Sequence, residues 1–322
     1  MRTPEFWNAP DHTARLAIAV LAPVGWAYGA SVAWKRDHAH AHRAKARVVC
    51  VGNLTAGGSG KTPVASAIAR ALKERGGNPF ILSRGYGGRM RGPALIDPAR
   101  DTAQDAGDEP LMLAAAAPVI VARDRRAGAE LADNSGADAI VMDDGHQNFA
   151  LVKDISIVVI DAETGFGNGR VLPAGPLREP VAQGLARADA VVLVGDGAPD
   201  LKGYSGPLLR ARLVPADVLG LKGARVVAFA GIGRPEKFFE TLRALGAELI
   251  EARGFPDHHV YSASEIARLK AKARGALLVT TEKDFVRLTP AERDDVHFLP
   301  VRAAFDDAHA FARLLDRIVA AR

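Results

Sequence analysis

Residues 48–62 read Val-Val-Cys-Val-Gly-Asn-Leu-Thr-Ala-Gly-Gly-Ser-Gly-Lys-Thr, an apolar run followed by a glycine-rich turn. The next residues place Val64, Ile68 and Leu72 on one face of a predicted helix. A strand, a glycine-rich loop and a helix in this order are typical of a phosphate-binding loop, or P-loop. Only the first consensus glycine is missing, because Thr55 occupies its position. We expect the loop to hold nucleotide phosphates with Thr55, Ala56, Gly57, Gly58, Ser59, Gly60, Lys61 and Thr62.

A magnesium site is expected beside this loop. Lys61 would supply positive charge to the β- and γ-phosphates, and the Thr62 hydroxyl would serve as a metal ligand. The predicted strand Ala139–Met142 is followed directly by Asp143 and Asp144. Ligands of doubly wound sheets bind at the carboxyl ends of the strands, so Asp143 is the candidate second ligand of Mg²⁺.

Short apolar runs rich in Val and Ile alternate with helix-length segments, which indicates a doubly wound, mostly parallel sheet buried on both faces. The predicted strands of this P-loop unit are Val48–Val51, Phe80–Leu82, Val119–Val121, Ala139–Met142, Ile155–Ile160 and Ala190–Val194. A second, smaller α/β unit is predicted from the runs Val226–Ala230, Glu248–Ile250, Ala276–Thr280 and Val296–Leu299, followed by a C-terminal helix that could pack back on the first unit.

The predicted division is an N-terminal segment at 1–45, a P-loop domain at 46–213 and a smaller α/β domain at 214–322, which we expect to close over the cleft between the two domains. A linker is expected around residues 201–221, where Pro and Gly are frequent. The length of 322 residues agrees with two domains.

The net charge of +5 is concentrated near the N-terminus, because residues 1–47 contain seven basic and three acidic residues. The rest of the chain is almost neutral, which argues against a nucleic-acid-binding protein. The single cysteine, Cys50, excludes an internal disulfide.

The 19 residues from Leu16 to Trp34 carry no charge, which is long enough for a membrane-spanning helix. Pro23 interrupts this run, and Trp26 and Trp34 are residues that favour the lipid headgroup level. We interpret the segment as a helix that lies in or dips into the membrane interface, with its basic flank on the cytoplasmic side. Spanning the bilayer and packing on the folded body remain alternatives.

Several loops carry more functional residue types than turns need. They are Ser83-Arg84-Gly85-Tyr86-Gly87, Gly107-Asp108-Glu109-Pro110, Asp143-Asp144-Gly145, the segment Leu172–Pro180, Phe229-Ala230-Gly231-Ile232-Gly233, Phe255-Pro256-Asp257-His258-His259 and Thr281-Glu282-Lys283-Asp284. Together with the P-loop, in this order and over nearly the whole chain, they resemble the tetraacyldisaccharide 4′-kinase family of lipid A biosynthesis.

The resemblance implies an ATP- and Mg²⁺-dependent kinase that phosphorylates the 4′-hydroxyl of a tetraacyldisaccharide 1-phosphate and yields lipid IVA. Its place would be the cytoplasmic face of the inner membrane, as a monomer that meets its lipid substrate at the membrane surface. The catalytic residues it implies are Asp108 as the base, His258 as its partner, with His259 as the alternative, and Lys61. Substrate or phosphate contacts are implied for Arg84, Tyr86, Glu109, Asp144, Gln147 and Arg125, with Arg123 as an alternative to Arg125.

One position departs from the family pattern: the Asp-Asp-Gly motif usually continues to Gln-His, whereas this chain has Gln147-Asn148. His146 is interpreted as a loop histidine in contact with solvent. The alternative function is a membrane-attached, GTPase-like P-loop switch, which needs N-K-x-D and D-x-x-G motifs. The nearest strings are Thr281-Glu282-Lys283-Asp284 and Asp143-Asp144-Gly145-His146, and neither matches. A soluble P-loop ligase or small-molecule kinase would leave the N-terminal segment unexplained.

Overall fold

A computed structural model describes residues 4–7, 12–216, 219–257 and 259–320. It contains a short 3₁₀ helix, Glu5–Trp7, and the helices α1 (His12–Asp37), α2 (Lys61–Glu74), α3 (Ala103–Ala106), α4 (Asp108–Leu113), α5 (Arg125–Asn134), α6 (Val181–Leu185), α7 (Pro235–Ala244), α8 (Ala263–Lys272), α9 (Glu282–Phe285), α10 (Pro290–Arg293) and α11 (Ala308–Ala320). The strands are β1 (Arg47–Gly52), β2 (Pro79–Ser83), β3 (Ala94–Leu95), β4 (Val119–Val121), β5 (Ala139–Asp143), β6 (Ile155–Asp161), β7 (Ala190–Val194), β8 (Leu208–Pro215), β9 (Arg225–Ala230), β10 (Glu248–Gly254), β11 (Leu277–Thr281), β12 (Val296–Leu299) and β13 (Val301–Phe305).

The larger sheet has nine strands in the order β13-β8-β7-β6-β1-β5-β2-β4-β3. Its seven inner strands are parallel, and β13 and β3 pair antiparallel at the two edges. On β1, Val49 and Val51 pack with α2, whereas Val48 and Cys50 pack with α5 on the other face. Burial on both faces explains why the inner strands are continuous apolar runs, and it confirms the predicted P-loop α/β class.

The smaller sheet has four parallel strands in the order β10-β9-β11-β12. Phe239 and Leu242 of α7 are buried on one face, and Ile266 and Leu269 of α8 are buried on the other. The smaller α/β unit expected from the sequence is therefore present, with strands close to the predicted positions.

Two strands, β8 and β13, differ from the sequence expectation, whereas α11 packs back on the larger unit as that expectation allowed. The stretch 201–221, expected to be a linker, contains β8, and the expected division at 213/214 falls inside that strand. Strand β13 pairs with β8, and Leu314, Leu315 and Ile318 of α11 enter the core of the larger sheet. The chain thus leaves the larger unit after β8 and returns to it after β12.

Candidate active site

The P-loop connects β1 to α2 at the carboxyl edge of the larger sheet. Gly60 precedes α2 with φ +80°, a left-handed conformation that favours glycine, and no side chain caps the helix. The first N–H groups of α2 therefore have no intrahelical acceptor and point toward the loop, where an anion is favoured. The Ser59 hydroxyl is buried there without a hydrogen-bond partner. This environment fits phosphate oxygens.

Lys61 lies at the start of α2 with 11% of its side chain exposed, and its Nζ is 3.8 Å from Asp144 Oδ1. The same carboxylate oxygen accepts a hydrogen bond of 2.7 Å from Arg178 Nη1. Burial opposes ionisation of Asp144, but Lys61 and Arg178 outweigh it and hold its pKa below the usual range. Asp144 is therefore ionised and paired with Lys61 and Arg178.

Asp143 ends β5 with 1% of its surface exposed. Burial raises its pKa to about 7, and the nearby Glu109 carboxylate adds to the rise while Lys61 opposes it. Its Oδ1 has no hydrogen-bond partner. A desolvated carboxylate oxygen of this kind fits a magnesium ion, which requires only one or two protein carboxylates when phosphate oxygens complete its shell. The described residues contain no cluster of three or more His, Cys, Asp or Glu side chains that could bind a metal by themselves.

Residues 84–88 pack against the start of α4. Gly107 joins α3 to α4 with φ +93°, and a Cβ at this position would lie 2.5 Å from the Tyr86 carbonyl oxygen. Asp108 and Glu109 form the first turn of α4, which packs on α2. Arg84 and Tyr86 extend from the loop, and Tyr86 is 79% exposed. The structure therefore brings both carboxylates of α4 and these two loop residues to the same edge as the P-loop.

Asp108 is held by an arginine from the smaller unit. Arg287 Nη2 and Nε donate to Asp108 Oδ2 at 2.6 and 2.9 Å. Arg287 Nη1 donates to Asp284 Oδ1 at 3.1 Å and to the Gly231 carbonyl oxygen at 3.0 Å. Arg287 is not predicted from the sequence, where its only signal is its position three residues after the Thr281-Glu282-Lys283-Asp284 string. The contact joins the two units at the predicted catalytic base.

The histidines expected near Asp108 are only partly described. His258 lies outside the described residues. His259 Nε2 is 3.2 Å from Glu265 Oε2, and its ring stacks on Phe255 with centroids 4.8 Å apart. Hydrogen bonds from Ser262, together with His259, hold the pKa of Glu265 at about 2. His259 is thus anchored within the smaller unit.

His146 is not in contact with solvent, so that expectation is wrong. It is fully buried, with Nδ1 3.1 Å from the Ser156 hydroxyl and Nε2 3.0 Å from the Gly184 carbonyl oxygen. Because a carbonyl accepts only, Nε2 must carry a proton and Nδ1 accepts from Ser156. Burial lowers the pKa of His146 to about 4, so the ring is neutral at pH 7. Through these two hydrogen bonds His146 fixes the turn after β5 to β6 and α6.

Gln147 belongs to a network that supports the P-loop. Its Nε2 donates to the Asn53 carbonyl oxygen and to Glu179 Oε1, each at 2.9 Å. Glu179 is buried and also accepts from Arg187 Nη2 at 2.8 Å. Neither Arg178 nor Glu179 is predicted as a site residue from the sequence, although they are the only charged residues of the segment 172–180.

Arg125 begins α5 and is 3% exposed. Its Nη2 donates to the Asp143 carbonyl oxygen at 3.1 Å and its Nη1 to the Ala122 carbonyl oxygen at 3.4 Å. Burial lowers its pKa to about 10, although Asp143 and Asp144 oppose the shift. Arg125 therefore braces the end of β5 rather than extending into the open part of the site.

Helix α1 lies over the larger unit with most of its surface exposed. The segment Arg15–Asp37 is long and apolar enough to cross a membrane, and 17% of its most apolar window is buried. A groove of about 1040 Å³ runs between α1 and the loops after β6 and β7. Its α1 wall consists of Ala22, Gly25, Trp26, Gly29, Ala30 and Ala33. The exposed large apolar side chains of α1 are Leu16, Val20, Val24, Trp26, Tyr28 and Trp34, of which Trp26 also lines the groove.

Three comparisons with known proteins agree. The sequence profile of a family described as Tetraacyldisaccharide-1-P 4′-kinase matches residues 17–320. A tetraacyldisaccharide 4′-kinase of Rhodospirillum centenum is 51% identical over 323 aligned positions, covering 98% of this chain and 96% of that protein. The same enzyme of Rhodospirillum rubrum is 50% identical, covering 100% and 99% of the two chains. The crystal structure of LpxK from Aquifex aeolicus in complex with ATP matches with a TM-score of 0.75 and 27% identity, covering 94% of this chain and 99% of that one.

Proposed function

The chain belongs to the tetraacyldisaccharide-1-P 4′-kinase family, and from this premise we propose which of its residues carry the reaction. The protein is an ATP-dependent kinase of lipid A biosynthesis, which phosphorylates the 4′-hydroxyl of a tetraacyldisaccharide 1-phosphate. One observation carries the assignment of roles: Lys61, Asp143 and the first turn of α4 converge at the carboxyl edge of the larger sheet.

The P-loop binds the triphosphate of ATP through the N-terminus of α2, the Ser59 hydroxyl and the Lys61 ammonium group. Thr62 and Asp143 hold Mg²⁺, which when bound neutralises phosphate charge. Lys61 and Arg178 keep Asp144 ionised beside that site, and Gln147 fixes the strand end that leads into the loop. These residues position the γ-phosphoryl group and surround it with fixed charges, on which phosphoryl transfer mainly depends.

Asp108 acts as the base at the acceptor end. The 4′-hydroxyl oxygen forms a bond to the γ-phosphorus as the bond from that phosphorus to the β–γ bridging oxygen breaks, and the hydroxyl proton passes to the Asp108 carboxylate. We propose His258 as the partner of Asp108, as the resemblance implies, because the side chain of His259 is engaged by Glu265. Arg84, Tyr86 and Glu109 are the proposed substrate and phosphate residues, and Arg125 supports the site indirectly, through its hydrogen bond to the end of β5.

The switch-protein alternative is not favoured. Its nearest base-reading string ends in Asp284, which is fully buried and bonded to Tyr261, Thr281 and Arg287. A base-reading aspartate must present its carboxylate to the nucleotide, and this carboxylate is already used inside the smaller unit.

The lipid end of the substrate is assigned to the groove under α1. The groove is lined mainly by small and apolar residues, and its volume of about 1040 Å³ is large enough for an acyl chain. We place α1 in the membrane interface, because Arg15 and the pair Lys35 and Arg36 put basic residues at both ends of its apolar segment. The larger unit then lies at the cytoplasmic face of the inner membrane.

We also propose that the protein acts as a monomer with a P-loop domain and a smaller domain that closes over the cleft. The support is that residues of a single chain supply both the phosphate loop and the acceptor-side carboxylate. Strand β13 and α11 belong with the P-loop domain in this division, because they pair and pack there.

The test uses the purified full-length protein in detergent with γ-labelled ATP, Mg²⁺ and the tetraacyldisaccharide 1-phosphate. Wild type is expected to transfer label to the lipid, and Lys61→Ala and Asp108→Ala should each lower kcat by about 100-fold or more. Val20→Ala is a matched control, since Val20 is exposed on α1 away from the site. Equal transfer by all four proteins would overturn the assignment of Lys61 and Asp108.

A further inference from the structure

The contact between Arg287 and Asp108 is a largely buried ion pair with two hydrogen bonds. Both of its hydrogen bonds fall on one oxygen, Asp108 Oδ2, and only 7% of the Arg287 side chain and 16% of the Asp108 side chain are exposed. A rigid guanidinium fork in a desolvated setting fixes the direction of a carboxylate more tightly than a lysine could.

Arg287 is itself fixed from the side of the smaller unit. Its Nη1 is shared between Asp284 Oδ1 and the Gly231 carbonyl oxygen. Asp284 is held in turn, because Tyr261 donates to its Oδ1 at 2.9 Å and Thr281 donates to its Oδ2 at 2.6 Å. Burial and the Asp284 carboxylate raise the pKa of Tyr261, so this phenol stays a donor. Residues of the smaller unit therefore hold the Arg287 guanidinium in a fixed position.

Arg287 bonds to two carboxylates, Asp108 and Asp284, that belong to different units. Asp108 begins α4 of the larger unit, and Asp284 lies in α9 of the smaller unit, against which α4 packs. Contact between the units therefore determines whether Asp108 Oδ2 has its arginine partner.

We propose that Arg287 is a positioning residue, which fixes Asp108 from the smaller unit and so makes phosphoryl transfer to the alcohol conditional on contact between the two units. The proposal rests on the proposed role of Asp108 as the base. It assigns no contact between Arg287 and ATP, so loss of Arg287 should affect kcat and leave nucleotide binding nearly unchanged.

The experiment measures label transfer and the affinity for an ATP analogue in full-length variants. Arg287→Met should lower kcat by about 10- to 100-fold, because it should remove only part of the rate enhancement that a general base contributes. The KM for ATP should stay within about threefold of the wild-type value. Arg287→Lys keeps a cation beside the buried Asp284 and so protects folding; it should give an intermediate kcat, because one ammonium group cannot reproduce the fork. Arg293→Met is the matched control. Arg293 lies six residues after Arg287, its Nη2 donates to the Val286 carbonyl oxygen at 3.1 Å, and its guanidinium covers the Phe285 ring.

A double-mutant cycle separates positioning from general stabilisation. If Arg287 acts through Asp108, Asp108→Asn combined with Arg287→Met should be no slower than Asp108→Asn alone, within about threefold. The proposal is overturned if Arg287→Met or Arg287→Lys retains full kcat, if the two losses multiply, or if Arg293→Met loses as much activity. If Asp108→Asn itself retains wild-type kcat, the base assignment fails and this proposal fails with it. A loss in Asp108→Asn without one in the Arg287 variants overturns only the positioning proposal.

Discussion

The environment of Asp143 disfavours the ionised form of its carboxyl group. It is completely desolvated at the end of β5, near Glu109, and its pKa is raised to about 7. Asp144, one residue later, reaches Lys61 and Arg178 and has a lowered pKa. In the metal-free protein the ionised form of Asp143 is therefore destabilised at the position where Mg²⁺ is proposed to bind. A bound Mg²⁺ ion would offset this destabilisation with its positive charge.

Replacing this carboxylate should stabilise the free protein and inactivate the enzyme. A raised folded-state pKa means that the unfolded chain binds fewer protons between about pH 4 and 7, so Asp143 lowers stability progressively across that range. Asp143→Asn removes this cost, and we expect a gain on the order of 4 kcal/mol at pH 8 that vanishes near pH 4. Denaturant unfolding of metal- and nucleotide-free protein measures the gain, and kcat should fall about 100-fold or more.

Asp144→Asn provides a control of opposite sign. Its lowered folded-state pKa stabilises the protein above the unfolded pKa, so this variant should lose stability at neutral pH. A pH-independent difference between wild type and Asp143→Asn would contradict the buried-charge explanation.

At the residue scale, the sequence predicted what local motifs encode. Lys61, Thr62 and Asp143 follow directly from a glycine loop and from the end of an apolar run. Arg287 could not be predicted, because 179 residues separate it from Asp108 and only tertiary packing brings the two together. His146 was assigned wrongly for the same reason, since Ser156 and the Gly184 carbonyl bury it.

At the element scale, burial on both faces decided which strands the sequence could predict. Inner strands such as β6 and β7 are continuous apolar runs, and their predicted bounds agree with the structure within one residue. Strand β8 was missed because Arg210 and Arg212 interrupt its apolar residues, and β13 because it is a short edge strand with Arg302. Their pairing joins segments that are far apart in the chain.

Helix α1 is the element whose role depends most on the lipid. Gly29 lines the groove, and a Cβ there would make ordinary contacts, at 3.8 Å to Val171 and 3.9 Å to Pro180. Gly29→Phe should therefore fill part of the groove without displacing the backbone. We expect KM for the lipid to rise about tenfold or more with KM for ATP unchanged, equivalent to about 1.4 kcal/mol of lost binding.

Val20→Phe is the matched control, because Val20 is 68% exposed on the same helix and does not line the groove. Steady-state kinetics with the lipid in mixed micelles distinguishes the two variants. Equal KM values for the lipid in both would place the acyl chains elsewhere.

At the scale of the whole molecule, the smaller unit is inserted within the larger one. Val301 of β13 lies opposite Pro215 of β8 in an antiparallel pair, so the chain leaves and re-enters the larger sheet at one place. After re-entry, α11 buries Leu314, Leu315 and Ile318 in the core. Arg75 pairs with Asp316 at 2.7 Å, and Arg47 bonds to the Ile318 carbonyl oxygen. The larger unit is therefore completed by β13 and α11.

This topology makes opposite predictions for two shortened proteins. Residues 1–213 end where the sequence suggested a domain boundary, but they lack α11, and removing each of its three large buried side chains costs about 2–5 kcal/mol. That sum approaches or exceeds the usual 5–15 kcal/mol of domain stability, so this fragment should not fold. Residues 1–215 joined to 301–322 by Asn-Gly retain β13 and α11, because a two-residue turn connects directly paired antiparallel residues. Thermal melting should be cooperative for the joined protein alone, which should bind an ATP analogue but fail to phosphorylate the lipid, since both proposed partners of Asp108, His258 and Arg287, are absent. Cooperative folding of residues 1–213, or lipid phosphorylation by the joined protein, would contradict this account of how the two units divide the work.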